Sequence, residues 1–318
     1  MKYLVRRLVS TIPTLVLVSA IIFWLMRILP GDVATLILVG TDGMGTPTPE
    51  EIATLRSELG LDRSMVVQYL AWIVGMAQLD VGNSLWSGQP VFHELLRRLP
   101  LTISLGLLAT TLSLLLAVPL GIIAAVKRGT WIDFVARTFA LGGLSIPNFW
   151  VGMLMILALV TYFGWTAPLG YVSLTQNPWQ HFQQLIWPAL ALGYNGAALM
   201  SRLVRSSLLE VMREDYVRTA RSKGLNDRDV IIRHALRNSL LPLITVLGIS
   251  LAGIISGTVI METVFTLPGV GRFMVDAIKH RDYPVVQTLT FVFAAIYTLA
   301  NLTVDLAYSV LDPRIRLT

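Results

Sequence analysis

The sequence predicts an all-α polytopic membrane protein with six transmembrane helices, and three observations carry that prediction. Charged residues make up 14% of the 318 positions, against about 25% in an ordinary soluble domain, so there is too little charge to cover a water-facing surface. Hydrophobic residues reach 54%, which excludes a largely disordered chain. The charges that do occur are clustered. They leave apolar intervals long enough, at about 1.5 Å per residue, to cross a hydrocarbon core of about 30 Å.

The first interval, Leu8–Met26, lies between Arg7 and Arg27 and gives helix 1 over 8–29, with Pro13 near its start where a helix tolerates it. Lys2, Arg6 and Arg7 before an apolar run also describe a secretory signal peptide. A convincing small-residue cleavage site is missing and five further spans follow, so a retained helix is expected. The second span covers 99–126 and ends at Lys127-Arg128. From Thr138 to Ser201 there is no Lys, Arg, Asp or Glu, and the one side chain that titrates near neutral pH is His181. That length suits two helices, placed at 138–163 and 185–204 around a turn-rich stretch holding Gly164, Pro168, Gly170, Asn177, Pro178 and Gln180. The last two spans are 238–261 and 283–304. The membrane domain as a whole is thus expected over 97–308.

Lys and Arg placement sets the orientation, because cytoplasmic loops are enriched in them. With the N-terminus inside, seventeen of the 25 basic residues fall on cytoplasmic pieces, nine of them between Arg202 and Arg237. Both termini are then cytoplasmic. The net charge of +6 is a topology signal: bilayer lipid is the partner it implies, and no nucleic acid is needed.

Two connections are long enough to fold. The external region 30–98 contains Thr48-Pro49-Glu50-Glu51, an N-cap with proline in the first turn and a carboxylate three residues on. Ile52, Leu55 and Leu59 follow at helical spacing and Gly60 can close the helix. A second amphipathic stretch runs from Met65 to Met76. This small helical insertion between helices 1 and 2 is expected to cap the external mouth. The other connection, the cytoplasmic loop 205–237, carries Leu208, Leu209, Met212, Tyr216 and Ala220 at helical spacing from Ser206 to Lys223. Gly224 stands where a stop is expected, and Asn226 with Asp229 looks like a fresh N-cap for Val230–Leu236. An apolar stripe among eight basic and five acidic residues suits a surface that docks on another protein or lies at the bilayer interface, and the charge pattern leaves both open.

Chemistry is sparse. With no cysteine and four histidines there is neither thiolate chemistry nor an obvious metal cluster. No G-x-x-x-x-G-K-[ST] phosphate loop and no H-E-x-x-H, G-x-S-x-G or G-x-G-x-x-G occurs, and no paired nucleophile and base suggests an intramembrane enzyme. The centres of the first five spans hold no ionisable group of the kind a secondary carrier uses. Glu262 lies at the external end of the fifth span and Asp305 toward the internal end of the sixth. Asn148, Asn195 and Asn301 suit bonds between helices. Such a chain offers a passage but no source of energy.

Several segments carry a family resemblance. They are Asp215-Tyr-Val-Arg-Thr-Ala-Arg-Ser-Lys-Gly-Leu225 followed by His234-Ala-Leu-Arg-Asn-Ser-Leu-Leu-Pro242, together with Leu29-Pro-Gly-Asp32, Ala125-Val-Lys-Arg-Gly129, Ser145-Ile-Pro-Asn-Phe-Trp150, Leu267-Pro-Gly-Val-Gly271, Arg281-Asp-Tyr-Pro-Val-Val-Gln287 and Leu311-Asp-Pro-Arg-Ile-Arg316. In this order, nearly end to end, they resemble the binding-protein-dependent ABC importer permeases, more narrowly the oligopeptide/dipeptide/nickel permease group. The long first external loop resembles that of the first of the two permeases such systems pair. The family's loop pattern is E-A-A, three residues, G, nine residues, I-x-L-P. Here Gly224 takes the glycine, Ala220 the second alanine, Thr219 the first and Arg218 the glutamate position. His234 replaces the isoleucine, Leu236 matches the leucine and Arg237 sits where the proline belongs, departures that resemble those of the peptide group.

The resemblance implies the type I ABC importer permease fold and makes the loop an ATPase-coupling element, with Asp215, Tyr216, Arg218, Thr219, Ala220, Lys223, Gly224 and Leu225 as its site residues. It implies as partners a second homologous permease subunit, two ATPase subunits and an external solute-binding protein. This chain is then expected to bind no cofactor and perform no catalysis, ATP and magnesium belonging to the partner subunits. It is also expected to lie in the cell (inner) membrane. The function it implies is half of a translocation pathway for di- or oligopeptides. Relatives carry nickel chelates, glutathione or other small solutes, and the alternative from another class is a self-sufficient secondary carrier or channel.

Overall fold

The computed structural model describes residues 2–28, 32–39, 45–166 and 170–311. Outside them lie residues 29–31 of the Leu29-Pro-Gly-Asp32 motif, Pro168, and residues 312–316 with Arg314 and Arg316. The side chains of Lys2, Arg6, Arg7 and Asp305 are likewise outside the described set. Among the described residues the regular structure is helical, apart from one isolated antiparallel bridge between Asn83 and Pro90. It forms two compact units, one built from the chain up to Leu99 with Phe273–Thr298, the other from Pro100–Arg272 with the chain from Leu299 onward.

The first unit begins with α1 (Lys2–Ile28), α2 (Val33–Val39), α3 (Pro49–Glu58) and α4 (Met65–Gln78). Because α1 already starts at Lys2, Pro13 lies inside it and not at its entrance. The sequence cap on α3 forms as a reciprocal box. The Thr48 backbone N–H donates to Glu51 Oε2 at 2.8 Å and the Glu51 N–H donates to Thr48 Oγ1 at 3.3 Å. Ser64 caps α4 with a single bond, its Oγ accepting from the Val67 backbone N–H at 3.5 Å. An aromatic core joins α1 to α4: buried Phe23 meets the Tyr69 ring edge-on at 5.3 Å and stacks on Trp72 at 6.3 Å, while the Arg27 guanidinium lies 3.5 Å from the Phe23 ring centre. The turn after α4 is held by buried Asp282, which accepts from the Ser84 hydroxyl and from the Leu85 backbone N–H at 3.1 Å.

The second unit follows along α5 (Val91–Val126), whose residues from Pro100 belong to it, then α6 (Trp131–Ser145), α7 (Asn148–Phe163) and α8 (Pro178–Val211). The expected single helix over 138–163 is broken between α6 and α7, which meet at 108°. Pro147 explains the break. It has no N–H to donate, and it drives Ile146 into extended geometry at φ −92°, ψ 127°. The helix placed at 185–204 is longer than expected, starting at Pro178 behind the Asn177 cap and ending at Val211. The span placed at 238–261 is built from α12 (Leu241–Ala252) and α13 (Ile254–Val264), parted at Gly253. Two more helices complete the chain, α14 (Val270–Lys279) and α15 (Tyr283–Leu311). Short elements between α8 and α12 belong to the site below.

Six spans were expected. Among the described residues three helices have the length and apolarity to cross a membrane, rising to five if each bent pair is one span. The helix left out of that number, α8, packs against α6, α7, α12 and α13. Surrounded by protein along one face, it carries Gln184, Tyr194 and Asn195 where a lipid-facing helix would need apolar side chains. Asn195 Nδ2 donates to the Gly143 carbonyl at 2.8 Å, the bond between helices that the sequence suggested for it, and Tyr194 Oη donates to the Phe139 carbonyl at 2.9 Å. Backbones approach closely here: a Cβ on Gly193 would lie 2.7 Å from the Ala109 carbonyl oxygen. Glu262 is fully buried, accepting from Thr102 Oγ1 at 2.6 Å and from the Arg272 backbone N–H at 3.0 Å. Its carboxylate therefore anchors the Leu267–Gly271 turn.

Candidate functional site

The loop singled out in the sequence folds into the end of α8 and four short helical pieces around a hydrophobic corner. One continuous helix was expected from Ser206 to Lys223. Instead α8 ends at Val211, residues 212–214 turn, and α9 (Asp215–Ser222) starts afresh. The apolar stripe explains the corner, because Val211 and Met212 serve two cores at once. One holds Ala125, Leu208 and Ala235; the other holds Val217, Ala220 and Val230. A straight helix would leave Val217 pointing away from the second.

Closure at the far end of α9 is as expected, with Gly224 at φ +81° and its N–H donated to the Arg221 carbonyl at 2.9 Å. The next element departs from expectation. Asn226 makes no side-chain capping bond, and after a single turn, α10 (Asp227–Asp229), the chain widens into a π-helix over Val230–Ala235 before α11 (Leu236–Ser239). The wider turn leaves Val230 and Ala235 buried in the two different cores.

This arrangement sorts the eight predicted site residues into two sets. Ala220 faces inward with Val217. Asp215, Arg218, Thr219, Lys223, Gly224 and Leu225 form an exposed, mainly polar surface. Arg218 Nη1 lies 3.5 Å from Asp215 Oδ1, and the Thr219 hydroxyl donates to the Asp215 carbonyl at 2.9 Å. Both contacts stay within α9, leaving the charges open to a partner. Tyr216, expected on the buried stripe, is 41% exposed. Its hydroxyl oxygen accepts from Asn238 Nδ2 at 2.9 Å and ties α9 to α11. Arg221 Nε sits 3.3 Å from Asp227 Oδ1 and bridges the glycine turn.

Two residues outside the predicted set fix the base of the site. Asp133, almost wholly buried, accepts from Arg205 in bidentate fashion at 2.9 and 3.0 Å and from the Gly129 backbone N–H at 3.1 Å. The pair locks the 127–130 turn and α6 to the part of α8 that leads into the loop. Its partners are 72 positions apart, so no local spacing could have paired them. Met212 stands on the apolar stripe that the sequence displays, whereas Val217 falls off a stripe drawn along one helix and onto the inner face of the second.

The site carries no group fitted to bond-making chemistry, and among the described residues no cluster of three or more His, Asp or Glu could hold a metal ion. What it offers is a short, rigidly backed helix with a charged outer face.

Comparison with known proteins bears on the whole chain. The family described as binding-protein-dependent transport system inner membrane component matches residues 117–317, and the family describing the N-terminal part of such components matches residues 1–106. The chain is 42% identical over 316 residues to the probable peptide ABC transporter permease protein y4tP of Sinorhizobium fredii, covering 99% of each. It is 40% identical over 339 aligned positions to the dipeptide transport system permease protein DppB of Escherichia coli K12, again covering 99% of each. Two solved structures share its fold. One is a chain of an amino acid ABC transporter crystallised with histidines (TM-score 0.50, 18% identity, 70% of this chain and 94% of that one). The other belongs to the inward-facing MetNI methionine ABC transporter (TM-score 0.51, 17% identity, 68% and 97%).

Proposed function

This chain belongs to the family of binding-protein-dependent transport system inner membrane components, and from that premise we propose that it is a permease subunit of an ATP-driven importer of di- and oligopeptides. The observation that carries the cargo class is 39–42% identity across 98–99% of the chain to proteins named as peptide or dipeptide permeases. The chain is a multi-pass membrane protein. In this reading it lies in the inner membrane with both termini and the 205–237 loop cytoplasmic, and 30–98 external. It pairs with a second permease, homologous to it, and receives cargo from an external solute-binding protein. Two ATPase subunits supply the energy and hold ATP and magnesium.

The geometry suggests how the coupling works. The inner face of α9, through Val217 and Ala220, is bonded to the core by apolar contact, while Asp215, Arg218, Thr219 and Lys223 present a polar outer face to a groove on the ATPase. Movement of that groove reaches α8 through the Val211–Met212 corner, and the Asp133–Arg205 pair passes it to α6. ATP binding then biases one of two openings of the path, and the change is as large as the differential interaction at this surface.

The test is reconstitution of the complete complex in proteoliposomes with its binding protein. Peptide uptake should require ATP on the side of the loop and binding protein on the other. Gradient-driven uptake by this chain alone would overturn the proposal in favour of a secondary carrier.

A further inference from the structure

The first compact unit contains a cavity of about 370 Å³ that coupling and transport leave unexplained. It lies between the end of α1, the turn before α4, α4 itself, the 80–85 turn and the start of α15. Two of its lining residues hold buried N–H donors with no partner: Trp72 Nε1 and Gln287 Nε2. Gln287 is only 3% exposed. A buried donor without an acceptor costs roughly 1–3 kcal/mol, so two on one cavity ask for a ligand rich in acceptor oxygens. Arg27 and Arg63 line the same cavity, and Arg27 spends its described bonds on Gln68 Oε1, at 2.7 and 3.2 Å, and on the Phe23 carbonyl at 3.3 Å. Among the described lining residues the one carboxylate is Asp80.

Depth narrows the ligand. The apolar span of α1 is Thr11–Ile28 and that of α15 begins at Tyr283. Arg27 and Tyr283 therefore stand where two spans leave the hydrocarbon, the level at which basic and aromatic side chains meet lipid head groups. The surfaces beside the cavity are apolar and open: Trp24, Leu25 and Ile28 on α1, and Val66, Leu70 and Val74 on α4, are all exposed. Acyl chains carried by a head group at this level would lie along these flanks.

We propose that this cavity binds the head group of a zwitterionic membrane phospholipid, its phosphate oxygens accepting from Trp72 Nε1, Gln287 Nε2 and Arg27, and its ammonium group meeting Asp80.

The experiment uses the complete transporter complex in nanodiscs, with native mass spectrometry counting retained lipid. Palmitoyl-oleoyl phosphatidylethanolamine is the probe. Diacylglycerol with the same chains, inorganic phosphate and a dipeptide are the comparisons. Trp72→Phe keeps the rings stacked on Phe23 while deleting the N–H, and Gln287→Leu deletes the amide. Neither N–H is bonded within the protein, so no internal hydrogen bond is lost; the smaller ring should lower the melting temperature modestly, and retention is compared well below it. A charge-assisted hydrogen bond is worth about tenfold in affinity, and the double variant should lose retained phosphatidylethanolamine by at least that factor. Asp80→Asn should shift preference from phosphatidylethanolamine to phosphatidylglycerol and provides an independent reading.

Undiminished retention in the double variant would overturn the proposal, as would equal retention of diacylglycerol. Displacement of the lipid by dipeptide would reassign the cavity to cargo, and displacement by inorganic phosphate would make it a free-anion site. Each of these outcomes leaves ATP-driven uptake to be judged separately.

Discussion

Replacing Gly224 tests the coupling site through backbone strain alone. The residue sits at φ +81°, and a Cβ built on it would meet no atom within 4 Å. A larger side chain therefore has room, and its cost is the left-handed conformation itself, about 1–2 kcal/mol for an L residue. At tenfold per 1.4 kcal/mol, Gly224→Ala should reduce the population of the observed α9–α10 turn by roughly 5–30-fold against opened alternatives. Gly224→Val should do more, since a β-branched residue is a genuine outlier there. Gly224→Asn should do less, because asparagine visits this region with a local hydrogen bond. The assay is peptide uptake per ATP hydrolysed by the complete complex in proteoliposomes. Coupling should fall in the order Gly, Asn, Ala, Val while membrane insertion is unchanged. Wild-type coupling in Gly224→Val, or an asparagine variant as poor as valine, would refute the claim that this turn positions the docking helix.

Three further outcomes follow from contacts already described. Asp133→Ala should destabilise the detergent-solubilised chain by about 2–3 kcal/mol, at or below the low end for a broken buried pair because Arg205 keeps 22% of its side chain exposed; Asp133→Ala/Arg205→Ala should cost less than the sum of the singles in chemical unfolding. Glu262→Gln should lower stability by about 1–3 kcal/mol, since an amide nitrogen replaces one of two oxygens that accept from Thr102 and Arg272; thermal unfolding checks it. Hydrogen bonds from the Thr48 backbone and side chain hold the Glu51 carboxyl below its usual range. The folded pKa is thus depressed, so the support it gives α3 is complete above the ordinary carboxylate pKa and disappears as pH falls through the lowered one. Hydrogen exchange of the Thr48 amide should show that loss on acidification, and Glu51→Gln should flatten it.

Local chemistry was legible in the sequence wherever it acts over three or four residues. The Thr48–Glu51 box and the Gly60 and Gly224 stops arise from short-range patterns that sequence spacing displays, whereas for Asn195 the sequence offers only a polar side chain in an apolar span and not its partner 52 positions away. Charge-free intervals worked less well, because they report compatibility with lipid and carry no information about direction. The 108° turn at Pro147 and the shielded, partly polar face of α8 both escaped them. At the site, an apolar stripe with the right period was read as one helix, although Met212 serves two cores and requires a bend. Tyr216 fits that stripe by period, yet the neighbouring Val217 fills it. Asp133–Arg205 and the Asp282 hub depend on chain segments far apart in sequence, and pairings of that kind become visible only in three dimensions.

The glycine contacts of α8 have a mechanical consequence. Where Gly193 lies on the Ala109 carbonyl and Ala198 lies against Gly143, backbone meets backbone or a single methyl group with no slack between them. An ordinary helix interface absorbs small displacements by swapping rotamers; these close contacts have none to swap, and the side chains beside them are pinned, Ser113 to the Gly193 carbonyl at 2.7 Å and Asn195 to the Gly143 carbonyl at 2.8 Å. At about 1.5 Å per residue, the 34 residues of α8 make a rod roughly 50 Å long. A nudge delivered at Val211 is therefore not dissipated locally: α5 and α6 must travel with the rod, or the contact must part.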